Sequence, residues 1–189
     1  MTPESTTALP SPPDSQAPAL EDLQERFILH RGEMASAWGI NRTMGQIHAL
    51  LYVSPEPLSA DEIMERLKIS RGNTSMNLRA LEDWGLAQRV HFTGDRREYF
   101  RGVSDVWEMG HNLVQERKRR EFDPAMRSLR QFLAEAGEAA DEPGLDVYRE
   151  RLGNLLRAFE MIQQACDRFL PRDPHDLPRL FEIEVAGLE

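Results

Sequence analysis

The chain has 189 residues, 40% of them hydrophobic and 29% charged, enough for one ordinary domain or two small ones with a real core. A single cysteine, Cys166, excludes an internal disulfide framework and a Cys-rich zinc module, and no apolar run approaches the roughly 20 residues of a membrane helix. The net charge is −9, yet residues 66–101 hold eight basic side chains against four acidic ones, while the remainder holds 15 against 28; positive charge gathered in one segment of an acidic chain calls for a local anionic partner.

Residues 1–19 are rich in Pro, Ser and Thr without an apolar period and are expected to form a disordered tail. Pro10 and Pro13 there match the spacing of a polyproline ligand. From Leu20, an inward stripe of Leu20, Leu23, Phe27, Met34 and Trp38 predicts a helix that ends at Gly39. A second helix is expected over 42–52, facing inward with Met44, Ile47, Leu50 and Leu51, until Pro55 and Pro57 force an extended link through Leu58. Ser59 and Glu62 are spaced as a capping box for a short helix buried through Ile63 and Leu67.

Another helix begins at Ser70, with Thr74, Leu78 and Leu81 inward and Trp84-Gly85 as its stop. Alternating strand formers over 86–92, turn residues Thr93-Gly94-Asp95 and a return over 97–101 predict a hairpin. Everything after Ser104 reads as helical: one helix to about Phe122 with Trp107, Gly110, Leu113 and Val114 on one face, and a restart at Pro124 carrying Met126, Leu129, Leu133 and Ala136. A break follows at 141–144. In the last helix Leu145, Tyr148, Leu152, Leu155, Phe159, Ile162, Cys166 and Phe169 alternate steps of three and four, the repeat of a helix that pairs with another. Leu156 and Leu170 widen that seam, and Pro171, Pro174 and Pro178 end it.

Two helices across a tight turn followed by a hairpin is the order of a winged helix-turn-helix, whose second helix enters the major groove by its amino-terminal half. Its outer face carries Ser70, Arg71, Gly72, Asn73, Ser75, Met76 and Arg79. Gly72 allows close approach to phosphate, Asn73 suits an adenine edge, and Ser75 can bond either kind of group. Met76 suits a thymine methyl, and Arg79 a phosphate or guanine. At the hairpin tip Asp95 is expected to pair with one of Arg96 and Arg97, freeing the other for the minor groove or a phosphate. Arg89 and Arg101 extend the basic strip. The expected fold is mainly α: residues 20–103 form the DNA-binding domain with its small β-hairpin wing, 104–170 long dimerisation helices, and 171–189 a tail. Helix 20–40 contributes to the dimer as well.

Residues 34–100 resemble the GbsR branch of the MarR-like transcriptional regulators. The likeness rests on Ala37-Trp38-Gly39, Met44-Gly45-Gln46-Ile47, Leu51-Tyr52, Ser54-Pro55-Glu56-Pro57-Leu58, Ser70-Arg71-Gly72-Asn73-Thr74-Ser75-Met76-Asn77-Leu78-Arg79, Trp84-Gly85-Leu86 and the wing Gly94-Asp95-Arg96-Arg97. It implies a homodimeric regulator of transcription, a repressor by resemblance; two recognition helices in such a dimer are expected to meet a pseudo-palindromic double-stranded operator, and the absence of a membrane run or secretory start points to a cytoplasmic protein. Some members answer choline or glycine betaine, but no residue here carries over as a ligand position.

The other readings are a winged-helix module for protein contacts, recruiting a partner through its acidic helices, and a metal- or small-molecule-gated sensor built on the same DNA-binding domain. His30 with Glu33 and Glu108 with His111 have one-turn metal spacing, but Glu-rich helices produce it by chance. Trp38, Tyr52, Trp84, Trp107 and Tyr148 could cage a quaternary ammonium, although aromatics at helical spacing are more often core. With no phosphate loop, nucleophile elbow or supported acid pair, the chain does not read as an enzyme. No cofactor, metal site or membrane partner is expected.

Overall fold

The computed structural model describes residues 19–140, 142–169 and Asp176. The tail with Pro10 and Pro13, Asp141, the side chain of Phe169, Leu170 and the terminal prolines lie outside the described residues. Helices α1 (Leu20–Ala37) and α2 (Arg42–Val53) are joined through Gly39 and Ile40, and Asn41 caps α2 by accepting from the Met44 N–H at 3.2 Å. A two-residue strand β1 (Leu58–Ser59) follows, then α3 (Ala60–Leu67), α4 (Arg71–Asp83) and the hairpin strands β2 (Ala87–Val90) and β3 (Tyr99–Gly102). The extended link expected at Leu58 is thus a strand: Leu58 pairs with Phe100, and the antiparallel sheet has the order β1-β3-β2. Its short members leave little edge open to further pairing.

Helix α3 starts at the expected capping box. The Ser59 hydroxyl takes the Glu62 N–H, while Glu62 accepts from the Ser59 N–H at 2.7 Å and from its hydroxyl at 2.6 Å. These bonds, the hydroxyl foremost, hold the Glu62 carboxyl below its ordinary pKa. Helix α3 ends at Lys68 with φ of 54°, the left-handed conformation that lets α4 begin three residues later.

The core lies among α1 to α4 and the sheet, with Ile47, Ile63, Leu78, Leu81 and Phe100 buried. Helix α1 departs from the predicted stripe. Leu20, Leu23 and Trp38 are exposed, and the buried face is Ile28, Gly32 and Ala35. Steric fit sets this register: a Cβ on Gly45 of α2 would stand 2.5 Å from the Ala35 Cβ and 3.4 Å from the Gly32 Cα. The helices cross where both carry small residues, so the large side chains of α1 turn outward.

Helix α5 (Val106–Arg117) passes through a π-helical turn (Lys118–Phe122) into α6 (Asp123–Glu138), so Pro124 sits in the first turn of α6 without breaking the path. On α5 the buried residue is Glu116, not the expected apolar face; it is bracketed by Arg119 at 2.8 Å and by Arg120. Helix α7 (Leu145–Phe169) folds back on α6, and Phe122 meets Phe159 at 5.5 Å. The predicted seam divides. Leu145, Leu152, Phe159 and Cys166 are half-buried, whereas Tyr148, Leu155 and Ile162 are exposed by 43%, 47% and 47%.

Candidate nucleic-acid interface

Ser70 caps α4, its hydroxyl accepting from the Asn73 N–H at 3.4 Å. Thr74, Leu78 and Leu81 anchor the inner face as expected, and Asn77 joins them with 4% exposure. Outward stand Arg71, Gly72, Ser75, Met76 and Arg79, all exposed. Among the described residues nothing lies within 4 Å of a Cβ placed on Gly72, so the described fold makes no demand for glycine there. Arg71 pairs with Asp61 of α3 at 2.8 Å. Both are largely exposed, and such a surface pair contributes roughly 0–1 kcal/mol. The side chains of Ser75, Met76 and Arg79 make no hydrogen bond or ion pair among the described residues. Asn73 is half-buried; it donates to Thr43 Oγ1 at 3.4 Å and accepts from Asn77 at 2.6 Å. Motif reading missed Thr43 and Asn77: one lies 30 residues away in sequence, the other on the inward face.

The wing turns at Gly94, φ 88°. Asp95 accepts from the Arg97 side chain at 2.7 Å, the Arg97 N–H at 2.9 Å and the Tyr99 hydroxyl at 2.8 Å. The Arg97 bonds, above all, hold the Asp95 carboxyl far below the carboxylate range, and the same pairing raises Arg97. Arg97 also lies over the Tyr99 ring at 5.2 Å. Arg96 is thus the arginine at the tip left without an ion pair among the described residues. Arg89 departs from the expected basic strip. It forks onto Glu82 at 2.9 and 3.1 Å, meets Glu98 at 2.5 Å and stacks over Phe100. Its charge is neutralised, and it ties the wing to the end of α4.

The turns at 68–70, 84–85 and 93–95 bring α4 and the wing tip into one unit, the geometry of a winged helix-turn-helix. The MarR family model matches residues 38–98. Over 166 residues the chain is 32% identical to the HTH-type transcriptional regulator MmpR5 of Mycobacterium tuberculosis, covering 85% of this chain and 94% of that protein. The chain belongs to the MarR family.

MarR-type regulators act on transcription by binding DNA, and so does this chain; it is no enzyme. The HTH-type transcriptional repressor GbsR of Bacillus subtilis is 22% identical over 128 residues, 68% of this chain and 71% of that protein. A solved transcriptional regulator shares the fold, with a TM-score of 0.61 at 20% identity, covering 84% of this chain and 98% of that one.

A cleft of about 200 Å³ opens between α1, α2, α4 and α5, lined by Arg31, Met34, Trp38, His48, Trp84 and Met109 among others. Of the five aromatics singled out by sequence, Trp38 and Trp84 line it and Tyr52 lines a neighbouring hollow. Among the described residues no group of three His, Cys, Asp or Glu side chains is placed to hold a metal, and no helix is long and apolar enough to cross a membrane.

Proposed function

We propose that the protein is a cytoplasmic homodimeric repressor that reads a pseudo-palindromic duplex through two copies of α4, with half-sites about one helical turn (roughly 34 Å) apart. The carrying observation is the outer face of α4 together with the wing tip. Ser75, Met76, Arg79 and Arg96 stand exposed and unengaged among the described residues, while nearby Arg89 and Arg97 are spent on carboxylates. In this reading Asn73 and Ser75 meet base edges and Met76 packs on a thymine methyl. Arg79, Arg71, Gly72 and the amino end of α4 at Ser70 meet phosphate. Asp95 and Arg97 shape the tip that presents Arg96.

A mobility shift with duplex from upstream of the protein's own gene tests this. Binding is expected to weaken steeply with salt as counterions are released. Asn73→Ala is expected to cost about 1–3 kcal/mol of discrimination at one base pair. Arg96→Ala is expected to weaken every sequence alike and reduce the salt slope by about one. Equal weakening of all sequences by Asn73→Ala would remove α4 as the reader.

The cleft supports a further element, an effector. Nε2 of His48 and Nε1 of Trp84 are buried there without a hydrogen-bond partner, and Arg31 in the wall makes no ion pair among the described residues. A guanidinium opposes a quaternary ammonium, so choline is expected to give no thermal shift.

A further inference from the structure

We propose that Thr43 and Asn77 position the Asn73 amide, so that α4 prefers an adenine in one strand orientation. The proposal rests on the reading above in which α4 lies in the major groove. Asn77 is the fixed point. Its side-chain nitrogen lies 2.8 Å from the main-chain oxygen of Asn73 and 2.6 Å from the Asn73 side chain. A main-chain oxygen only accepts, so the group that Asn77 turns toward it is its NH2. The Asn73 atom met by the second hydrogen of that NH2 is therefore an acceptor, Oδ1. The Nδ2 of Asn73 then falls on the other side of the amide, 3.4 Å from Thr43 Oγ1 in the first turn of α2. A main-chain carbonyl, which cannot exchange its role, thus decides which way the Asn73 amide faces.

An amide has two donor hydrogens and an oxygen with two lone pairs. Asn77 and Thr43 engage one of each, and one donor and one acceptor remain for a ligand. Adenine presents the complement in the major groove, the N7 acceptor beside the N6 donor. An amide free to turn over could offer donor and acceptor in either order and so accept the base pair either way round. Held between α2 and its own helix, Asn73 offers them in one order.

A purely structural asparagine at position 77 would need only the main-chain oxygen four residues back, a common local bond. The second bond, to Oδ1, has no such role. Burying an amide at 4% exposure, between Thr74 and Leu78, otherwise costs free energy that an apolar side chain avoids. Asn77 itself reaches no base; it acts through Asn73.

The test compares the full-length parent with Asn73→Ala, Asn77→Ala, Thr43→Val and Thr43→Ser. Each is selected against a randomised duplex library read as base preference at every position, with affinity for a non-specific duplex and thermal unfolding measured alongside. Asn73→Ala is expected to abolish the preference at one base pair, from roughly tenfold or more to none. Asn77→Ala and Thr43→Val are expected to cut it at that same pair to about threefold or less. Other positions and non-specific affinity stay at the parent's values, and Thr43→Ser retains the full preference. Folded Asn77→Ala and Thr43→Val proteins with unchanged preference at that pair overturn the positioning role while leaving α4 as the reader. Loss spread equally over all positions overturns it too, because a structural role alone would do that. If Asn73→Ala changes no preference, both the positioning and the reading beneath it fall. Should Asn77→Ala fail to unfold cooperatively, the contrast between Thr43→Val and Thr43→Ser decides.

Discussion

His48 is 7% exposed on α2, with Nε2 unpartnered; burial, and then the Arg31 charge, lower its pKa to about 4. The native state therefore holds His48 neutral, while the unfolded chain protonates it near its ordinary value of 6.5. Between those two values the unfolded state binds more protons, so stability is full above about pH 6.5 and falls as pH drops toward 4. The loss is on the order of 2–3 kcal/mol. Unfolding free energies from urea titrations at pH 7.5 and 5 are expected to differ by about 2 kcal/mol, and His48→Gln to remove most of the difference. The α2 pattern of Met44, Ile47, Leu50 and Leu51 announced the inward face, but nothing in it distinguished a buried neutral histidine from an exposed one. The same holds for Asn77, polar and yet placed in line with Thr74 and Leu81.

Several helix starts and stops carried their own chemistry in the sequence: Ser59 with Glu62, Ser70 and Trp84-Gly85 act as caps or stops where local reasoning places them. How the helices face one another is a separate matter. Helix α1 meets α2 through Gly32, Ala35 and Gly45, and this close approach sends Leu20, Leu23 and Trp38 to the surface. Gly45→Val is expected to destabilise the fold by about 1–3 kcal/mol through overpacking at the crossing, read as a lower thermal midpoint with DNA specificity retained. The boundary expected after residue 103 is bridged by packing. Asn112 of α5 donates to the Gly85 main-chain oxygen at 2.8 Å, Arg117 bonds the Trp38 main-chain oxygen, and Arg120 lies over the Trp84 ring. Helix α5 is therefore bound to the winged unit, and the π-helical turn stands at the edge of that contact.

At the scale of the molecule, the exposed row of Tyr148, Leu155 and Ile162 on α7, with Leu20 and Leu23 on α1, supports the proposed subunit pairing, because apolar side chains repeating every seven residues on an open helix face fit a partner helix. Leu155→Asp with Ile162→Asp is expected to give monomers in sedimentation and to weaken operator binding at least about 100-fold by uncoupling the half-sites, while each monomer keeps its fold. The excess of acidic residues outside 66–101 leaves the basic side chains of α4 and the wing as the surface suited to a polyanion.

Periodicity, caps and turn residues are local chemistry, and by themselves they determined the helices, the hairpin and the winged arrangement. Which half of the α7 repeat turns outward and how Asn73 meets Thr43 depend on side chains far apart in the chain, whereas Arg97 meets Asp95 across only two residues. Arg89 meets Glu82 and Asn73 meets Thr43 only after the helices pack, and packing is governed by shape and hydrogen-bond closure between elements, which no local pattern encodes.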